Sequence, residues 1–565
     1  MRHNIIHYIN QVRQKIQRTL ARLDKTTIIY IIIFLVFLTN TLYVMYPDEF
    51  VNMLAGKFIN MGKIPYKDFF DHHLPFAWYL SAFLQWFSFG SYVLFRIWWA
   101  VFAFSCLLGV AFYIKKHSKE AYPYYLGYFF IYPFVTVYYW THLFLADSLA
   151  FLFFSVLFWV LIIESYKKVS EYKTILFLSF VNFLFIFSSL TFIYIAVPFY
   201  LWMLYLVNRS RIDVKKSLKL VGLSVTPFVI YGIYLLLSGS WKEFYISNFL
   251  YNTKLYISIP NYTKGHFFNP LKFALTLIFN FYESYIPLLV RIKEFNLFFP
   301  VDLTIALGSF ILLLFLFVEN KILFFLFFTI LSFSAPRSNL MRIGESDYQS
   351  GMFIALGFIS TFIVFWRYKF IQFTQEYTHL FKKILTLLLV FYFSFGLLFL
   401  VKNTYDKFYK RYTQKMPGIY NVAYSASFID DVLEKGDYFW IGPYEPNEEF
   451  FVKKASLPGK YPTLLPQFRE DEYFKNGFLQ QFEDHPPKII IYKHEASIFM
   501  TPALEFGSFF IDWMKNKYTS IENIKGVEVV QSPSSFNMRT DVYILNSQKE
   551  QILNKLQEKG YISFR

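Results

Sequence analysis

Long blocks of apolar residues, nearly free of charge, constrain the fold of this chain more than any other feature of its sequence. Six such blocks stand out, at 31–44, 98–114, 151–163, 218–237, 305–318 and 384–401. Each approaches the ~20 apolar residues that a helix needs to cross the core of a bilayer. The hydrophobic content of 56% also lies outside the usual range of soluble domains. The sequence therefore predicts an all-α polytopic membrane bundle.

The distribution of lysine and arginine predicts how this bundle is oriented. Basic residues are frequent in the N-terminal segment, residues 1–26, and recur in later clusters at 115–119, 167–173, 209–219, Lys321 and 367–383. Cytoplasmic loops carry such an excess, and all of these segments are cytoplasmic if the stretches 75–89 and 271–299 lie at the outer interface without crossing. The pattern predicts a multi-pass plasma-membrane protein with about 11 spans between residues 27 and 403, a cytoplasmic N-terminus and outer juxtamembrane helices.

The chain changes character after the last apolar block. Residues 404–565 contain short apolar stretches flanked by Gly, Pro and charge, which predict strands at 438–441, 488–492, 527–530 and 541–545. Two further stretches, 428–433 and 471–482, have helical patterns. These features predict a small α/β domain on the extracytoplasmic side, with no phosphate-binding Gly loop and no nucleophile motif.

Charge and cysteine content exclude several classes of function. The formal net charge of +16 belongs mostly to the loops between spans, and no basic patch interleaved with aromatic residues occurs in a soluble region. This argues against nucleic-acid binding. The single cysteine, Cys106, lies inside an apolar block, which rules out an intrachain disulfide and a thiolate metal cluster.

The segment after the first apolar block, residues 46–91, has the most informative pattern. Pro47 suits the first turn of a helix, where Asp48 and Glu49 complement the positive end of the helix dipole. Apolar residues then recur at helical spacing up to Gly62, a natural C-terminal stop. The pattern predicts an amphipathic helix on the outer membrane surface, with both carboxylates at the water–lipid boundary. As an alternative, the two acids serve only to start the helix.

Further polar residues crowd this segment and the span boundaries that follow it. Asp68, Asp71, His72 and His73 precede Pro75, which can begin another helix. A solvated polar loop explains any one of these residues but explains the whole set less well. Ionisable residues at span boundaries are costly, and the sequence has two of them, Arg96 and Asp147. Each is a candidate for substrate binding, or else for a structural ion pair or for snorkelling to the interface.

Two arginines in a late outer loop, residues 336–350, could hold a phosphate. They are Arg337 and Arg342, and the planar fork of arginine can bond two phosphate oxygens. The alternative is a hydrated loop with anchoring arginines. Asp48, Glu49, His72 and His73 could bind a divalent cation such as Mg²⁺ or Mn²⁺, although no spacing in the sequence demands a metal.

The order of these features resembles the first outer loop of GT-C glycosyltransferases, in particular protein O-mannosyltransferases and lipid A aminoarabinose transferases. The resemblance covers roughly the first two hundred residues. It runs from the first span through Asp-Glu, an amphipathic helix ending in Gly, and Pro-Tyr-x-Asp to His-x-Pro. By this resemblance Asp48 is the catalytic base and Glu49 is its partner in the catalytic pair. His73 and Pro75 match the first and third positions of a His-Pro-Pro motif, in which Leu74 replaces the middle proline.

The resemblance extends to Arg96, at the opening of the second span, and to Asp147, at the head of a later span. It implies that a sugar moves from a polyprenyl-phosphate donor to a glycan, lipid or protein acceptor at the outer face, with inversion of the anomeric centre. Asp71, His72, His73, Arg96, Asp147, Arg337 and Arg342 are then the candidate substrate-binding residues. Two rivals remain: a transporter or flippase of lipid-linked sugars, and an O-antigen polymerase or ligase.

Overall fold

The computed structural model describes most of the chain. Described are residues 24–43, 46–256, 270–290, 300–334, 348–367, 424–530 and 540–565, with scattered helical positions between 387 and 409. Arg337 and Arg342, most of the basic N-terminal segment and the predicted domain boundary at 403–404 lie mainly outside these ranges, and the structure does not test them.

The described residues before position 368 are mostly helical. Their helices are α1 (Lys25–Thr39), α2 (Pro47–Asn60), α3 (Phe76–Trp86), α4 (Tyr92–His117), α5 (Tyr122–Tyr138), α6 (Ala146–Tyr166), α7 (Tyr172–Ser188), α8 (Ile193–Arg209), α9 (Val214–Leu237), α10 (Trp241–Tyr245), α11 (Pro270–Val290), α12 (Pro300–Glu319), α13 (Lys321–Phe333) and α14 (Gly351–Arg367). A π-helical segment, Ile246–Leu255, follows α10. These elements confirm the predicted helical class.

Six helical segments of the described residues are long and apolar enough to cross a membrane. They are Lys25–Leu42, Tyr92–His117, Ala146–Tyr166, Leu190–Arg209, Val214–Leu237 and Tyr348–Arg367. Shorter apolar helices occur at Tyr172–Ser188, Ala306–Glu319 and Lys321–Phe333. The length and composition of these helices are consistent with a membrane protein, while the number of about 11 spans stays a prediction.

Helices α6 and α14 form the centre of the bundle. Nearly every residue of both is buried, whereas α1 and α9 expose most of their apolar side chains, as lipid-facing helices do. Close packing at the centre depends on Gly308, because a Cβ at this position would lie 2.0 Å from the Thr361 hydroxyl oxygen. Aromatic rings fill much of the remaining space, for example Trp159, whose ring centroid is 5.1 Å from that of Tyr125.

The end of the bundle opposite residues 46–91 has a cluster of charged side chains at the C-terminal ends of four helices. Glu164, in the last turn of α6, forms an ion pair with Lys167, which directly follows that helix. Arg209 of α8 donates a hydrogen bond of 2.8 Å to the Glu164 carbonyl oxygen. The last residue of α14, Arg367, pairs with the last residue of α12, Glu319, at 2.9 Å. Lys167, Arg209 and Arg367 come from three basic segments that are predicted to share one side of the membrane, and the described residues bring these three side chains to one end of the bundle.

The described residues after position 423 form a small α/β domain. Its helices are α15 (Tyr424–Val432), α16 (Pro446–Phe451), α17 (Glu472–Asp484), α18 (Ala503–Phe506), α19 (Ser508–Met514) and α20 (Lys549–Glu558). Its strands are β1 (Phe439–Gly442), β2 (Ile489–Lys493), β3 (Ser497–Ile498), β4 (Thr501–Pro502), β5 (Tyr518–Ser520), β6 (Val527–Val529), β7 (Thr540–Leu545) and β8 (Ile562–Phe564). The main sheet has the order β1-β2-β7-β5, with β1 and β2 parallel and β7 antiparallel to both neighbours. All four predicted strands and both predicted helices are confirmed to within a few residues.

The C-terminal domain lies directly on α2. Lys57 donates hydrogen bonds of 3.0 and 2.7 Å to the carbonyl oxygens of Phe450 and Val452, and the amide of Phe70 donates one of 2.8 Å to the Lys460 carbonyl oxygen. The predicted helix after Pro47 is confirmed, and its location on the outer membrane surface stays a prediction. In the structure α2 is largely buried between α3 and the C-terminal domain.

Candidate functional site

Asp48 lies where three distant parts of the chain meet. It stands in the first turn of α2, and its side chain is partly buried. The hydroxyl of Tyr444, in the C-terminal domain, donates a hydrogen bond of 2.9 Å to Asp48 Oδ1. The hydroxyl of Tyr348, just before α14, donates one of 3.0 Å to Asp48 Oδ2. Each carboxylate oxygen thus accepts one hydrogen bond and keeps a further lone pair for a substrate proton.

The environment of Asp48 changes its acidity. Burial raises its pKa above the ordinary value, because a low-dielectric surrounding disfavours the charged form. The hydroxyls of Tyr444 and Tyr348 lower the pKa of Asp48, because they donate hydrogen bonds to its ionised carboxylate. Among nearby charges, His73 lowers the pKa and the Asp147 carboxylate raises it. A carboxylate with a raised pKa is a better proton acceptor, which suits a general base.

Glu49 forms a buried ion pair with Arg96. The carboxylate of Glu49 accepts hydrogen bonds from Arg96 Nη2 at 2.7 Å and from Arg96 Nε at 3.2 Å. It also accepts one from the Tyr92 hydroxyl at 2.7 Å and one from the Phe144 amide at 3.0 Å. Arg96 Nη1 donates to the carbonyl oxygen of Tyr43 at 2.6 Å. These bonds join the end of α1 to α2, to the start of α4 and to the loop before α6.

The ion pair limits what Glu49 and Arg96 can do. Their relative exposures are 0% and 2%, so neither side chain offers a face to a substrate or to a metal ion. The prediction of Glu49 as a second catalytic residue and of Arg96 as a substrate-binding residue therefore has no geometric support in this conformation. The ion pair joins the first turn of α2, where Asp48 lies, to α4 and to the residues after α1.

Asp147 occupies the first turn of α6, the predicted head of a span, and its relative exposure is 8%. The charge of its carboxylate raises the pKa of Asp48. Asp147 is thus a buried acid whose charge acts on the carboxylate of Asp48.

Asp71, His72 and His73 form a compact cluster. Asp71 Oδ1 lies 2.8 Å from His73 Nδ1 and 3.8 Å from His72 Nδ1, and the His73 amide donates to Asp71 Oδ1 at 3.0 Å. Burial acts to raise the pKa of Asp71, but the two histidines outweigh it and hold that pKa below the ordinary value. Burial, with the charge on His73, lowers the pKa of His72 to about 3. The cluster therefore combines an ionised carboxylate with a neutral imidazole.

Sequence reasoning missed the two tyrosines that hold Asp48. Tyr348 lies 300 residues from Asp48 in the sequence and Tyr444 lies 396 residues away, so no local pattern links either of them to the first loop. The only sequence signal for Tyr444 is its place in a Gly-Pro-Tyr turn directly after the buried strand β1, since loops at strand ends often carry functional residues. The predicted arginines, Arg337 and Arg342, lie outside the described residues.

Comparisons with known proteins give no family for the chain. No protein-family model matches the sequence, and no curated protein matches it significantly. The functional interpretation therefore depends on the geometry of the site and on the resemblance in the first loop.

Proposed function

We propose that the chain is an inverting glycosyltransferase of the GT-C type, which moves a sugar from a polyprenyl-phosphate donor to a glycan, lipid or protein acceptor. The single observation that carries this proposal is the Asp48 carboxylate. It has a raised pKa, is held by two tyrosine hydroxyls, and lies at one end of a membrane bundle beneath a soluble domain. A lipid-borne head group would reach this end of the bundle from the membrane, and a soluble acceptor would reach it from the aqueous side.

In the proposed reaction Asp48 acts as the general base. It takes the proton of the acceptor hydroxyl as the hydroxyl oxygen forms a bond to the anomeric carbon. The bond from that carbon to the phosphate oxygen breaks, and polyprenyl phosphate leaves with the electron pair. Attack opposite the leaving group inverts the anomeric centre. The Glu49–Arg96 ion pair keeps Asp48 in place, and Asp147 holds the sugar or the acceptor hydroxyl.

The leaving phosphate gains charge and needs electrostatic stabilisation more than it needs a proton. Arg337 and Arg342 are proposed for this role because they belong to the segment directly before Tyr348, whose hydroxyl contacts Asp48.

Replacing both Arg337 and Arg342 by alanine should weaken donor binding without loss of folding. Unchanged donor affinity in the variant would show that these arginines do not bind the donor phosphate.

The proposal includes the location of Asp48 and the C-terminal domain at the outer face of the membrane. The described helices alternate between the end that carries Asp48 and the end that carries the Glu164 and Glu319 cluster, and the positive-inside tendency makes the second end cytoplasmic. Counting the nine long or shorter apolar helices, α5 and the apolar block at 384–401 of the sequence as one crossing each, with α11 at the interface, gives 11 spans. The C-terminal domain is then outside the cell.

Cysteine labelling tests this orientation. Cys106 is the only native cysteine, so Cys106→Ala provides a clean background for single cysteines at two exposed sites. We expect a membrane-impermeant maleimide to label Glu558→Cys, in the C-terminal domain, in intact cells. It should label Lys119→Cys, between α4 and α5, only after the membrane is opened. The reverse pattern would contradict the outer-face chemistry.

The structure offers less support for a transporter or a flippase. Transporters place ionisable residues near the middle of the membrane. Within the described ranges, the buried ion pairs of the bundle lie at its two ends instead: Glu49 with Arg96 at one, and Glu164 with Lys167 at the other. An O-antigen polymerase or ligase centres its chemistry on a late outer loop, whereas the groups assembled here lie mainly in the first one.

The proposal is tested by incubating the purified chain in nanodiscs with radiolabelled polyprenyl-phosphate sugars. We expect release of polyprenyl phosphate in the presence of an acceptor extract. Movement of an intact labelled lipid across the bilayer without release would favour the flippase instead.

The two tyrosines provide a prediction about pH dependence. Only ionised Asp48 can accept a proton, so kcat/KM should fall at acid pH around the raised pKa of this carboxyl. Tyr444→Phe and Tyr348→Phe each remove a hydrogen bond to the ionised form, which raises that pKa further. The acid limb should therefore move to higher pH in both variants.

Tyr438→Phe is the matched control, because Tyr438 lies in the same domain and contacts His485 instead of Asp48. A purely structural role for Tyr444 would lower the rate at every pH and leave the acid limb in place. That result would reject the assignment of Asp48 as the base.

A further inference from the structure

The cluster of Asp71, His72 and His73 has the composition and spacing of a metal site. One ligand atom from each residue lies within 4.8 Å of the other two. Ligands bonded at roughly 2.1 Å to one ion lie about 3.0–3.5 Å apart. The measured separations of Asp71 Oδ1 from the two Nδ1 atoms, 2.8 and 3.8 Å, bracket this distance. Small side-chain rotations would therefore place all three atoms around one ion.

The surrounding chain holds the three residues in place. Asn252, in the π-helical segment, donates a hydrogen bond of 2.9 Å to the His72 carbonyl oxygen, and the Tyr66 hydroxyl donates one of 2.8 Å to the His73 carbonyl oxygen. The His72 ring also lies against Tyr256, with centroids 4.7 Å apart. Fixed ligand backbones of this kind reduce the conformational entropy that metal binding would otherwise cost.

We propose that Asp71, His72 and His73 bind a divalent transition-metal ion, of the class of Zn²⁺ or Mn²⁺. Two imidazoles and one carboxylate match the ligand preference of these ions, whereas Mg²⁺ and Ca²⁺ prefer oxygen ligands alone. Three protein ligands leave coordination positions open, as in catalytic metal sites. His73 has a relative side-chain exposure of 43%, so these open positions can face the solvent and a ligand.

The location of the cluster suggests what the open positions bind. The cluster and Asp48 belong to the same segment, residues 46–91. In the proposed function an ion at the cluster would coordinate a phosphate oxygen of the donor. The metal site itself does not depend on the proposed function; only its role toward the donor phosphate rests on that proposal.

The sequence grouped Asp48, Glu49, His72 and His73 as candidate metal ligands, and only the two histidines belong to this cluster. Glu49 is paired with Arg96, and Asp48 accepts hydrogen bonds from Tyr348 and Tyr444. Asp71 supplies the carboxylate of the cluster, next to both imidazoles.

The test is calorimetric titration of the full chain in nanodiscs. The protein is purified through a tag without histidine, stripped with a chelator, and titrated separately with ZnCl₂, MnCl₂ and MgCl₂. We expect one site per chain for Zn²⁺ or Mn²⁺, with a Kd in the micromolar range or tighter, and at least 100-fold weaker binding of Mg²⁺. His73→Gln and Asp71→Asn should each weaken binding at least tenfold. His485→Gln, at an exposed histidine of the C-terminal domain, is the matched control and should bind like the wild type.

The results of this titration distinguish a metal site from a cluster that only shapes the loop. Because the His73 side chain is half-exposed, His73→Gln should fold, and an unchanged melting temperature verifies this. No stoichiometric binding of Zn²⁺ or Mn²⁺, or wild-type binding by a folded His73→Gln variant, would show that the cluster only shapes the loop. Metal binding without Asp48-dependent sugar transfer would support the metal site and contradict the proposed function. Sugar transfer by the chelator-treated chain would support the proposed function and show that the metal is not needed for it.

Discussion

Asp48→Asn is expected to lower sugar transfer by about 10²–10⁴-fold, the usual contribution of a general base. The amide keeps the shape of the side chain and can still accept a hydrogen bond through its oxygen, but it cannot take a proton from the acceptor. Donor binding should change little, since neither tyrosine partner is removed. The measurement is turnover of a labelled polyprenyl-phosphate sugar by purified variants, together with donor affinity.

Asp512→Asn is the matched control for this experiment. It makes the same chemical change at an exposed carboxylate of the C-terminal domain, where Asp512 pairs with Lys515, and should leave transfer unchanged. Near-normal turnover by Asp48→Asn would exclude Asp48 as the base, and Asp147 or Asp71 would become the candidate.

Arg96→Met is expected to destabilise the fold by about 3–5 kcal/mol, the range measured when one partner of a buried ion pair is removed. The substitution leaves the Glu49 carboxylate buried without its countercharge, although Tyr92 and the Phe144 amide still donate to it. Because α1, α2 and α4 all meet at this pair, the loss should appear in the global unfolding transition. Unfolding in mixed detergent micelles measures it.

The double variant Glu49→Gln/Arg96→Met provides the internal control. It removes both charges, so it should recover a large part of the stability that Arg96→Met loses. Lys515→Met, at an exposed ion pair, should have little effect. A small loss in Arg96→Met, or no recovery in the double variant, would show that the ion pair does not hold the first turn of α2.

Local patterns predicted the local structure well. Pro47 begins α2 and Gly62, with φ of +82°, follows its end, while Pro75 immediately precedes α3. Strands β1, β2, β6 and β7 lie where apolar runs are bounded by Gly, Pro and charge, whereas β3, β4, β5 and β8 were not predicted. In each case the information is contained in a few neighbouring residues, because caps, turns and side-chain periodicity depend on neighbours.

Long-range contacts could not be predicted in the same way. The covering of α2 by the C-terminal domain and the hydrogen bonds from Tyr348 and Tyr444 to Asp48 join residues hundreds of positions apart. Likewise, the sequence marked Glu49 and Arg96 as unusual but left open whether they bind a substrate or each other. Only the three-dimensional arrangement distinguishes a buried ion pair from two site residues.

A structure of the chain with bound polyprenyl phosphate tests whether sugar transfer occurs at Asp48. We expect the phosphate to lie at the end of the bundle beside Asp48, near His73 and Asp147, with the prenyl chain extending between helices into the bilayer. The Asp48 carboxylate should still face open space on the side where an acceptor enters. A phosphate bound at the opposite end, near Glu164 and Arg209, or in the middle of the bundle, would contradict the account.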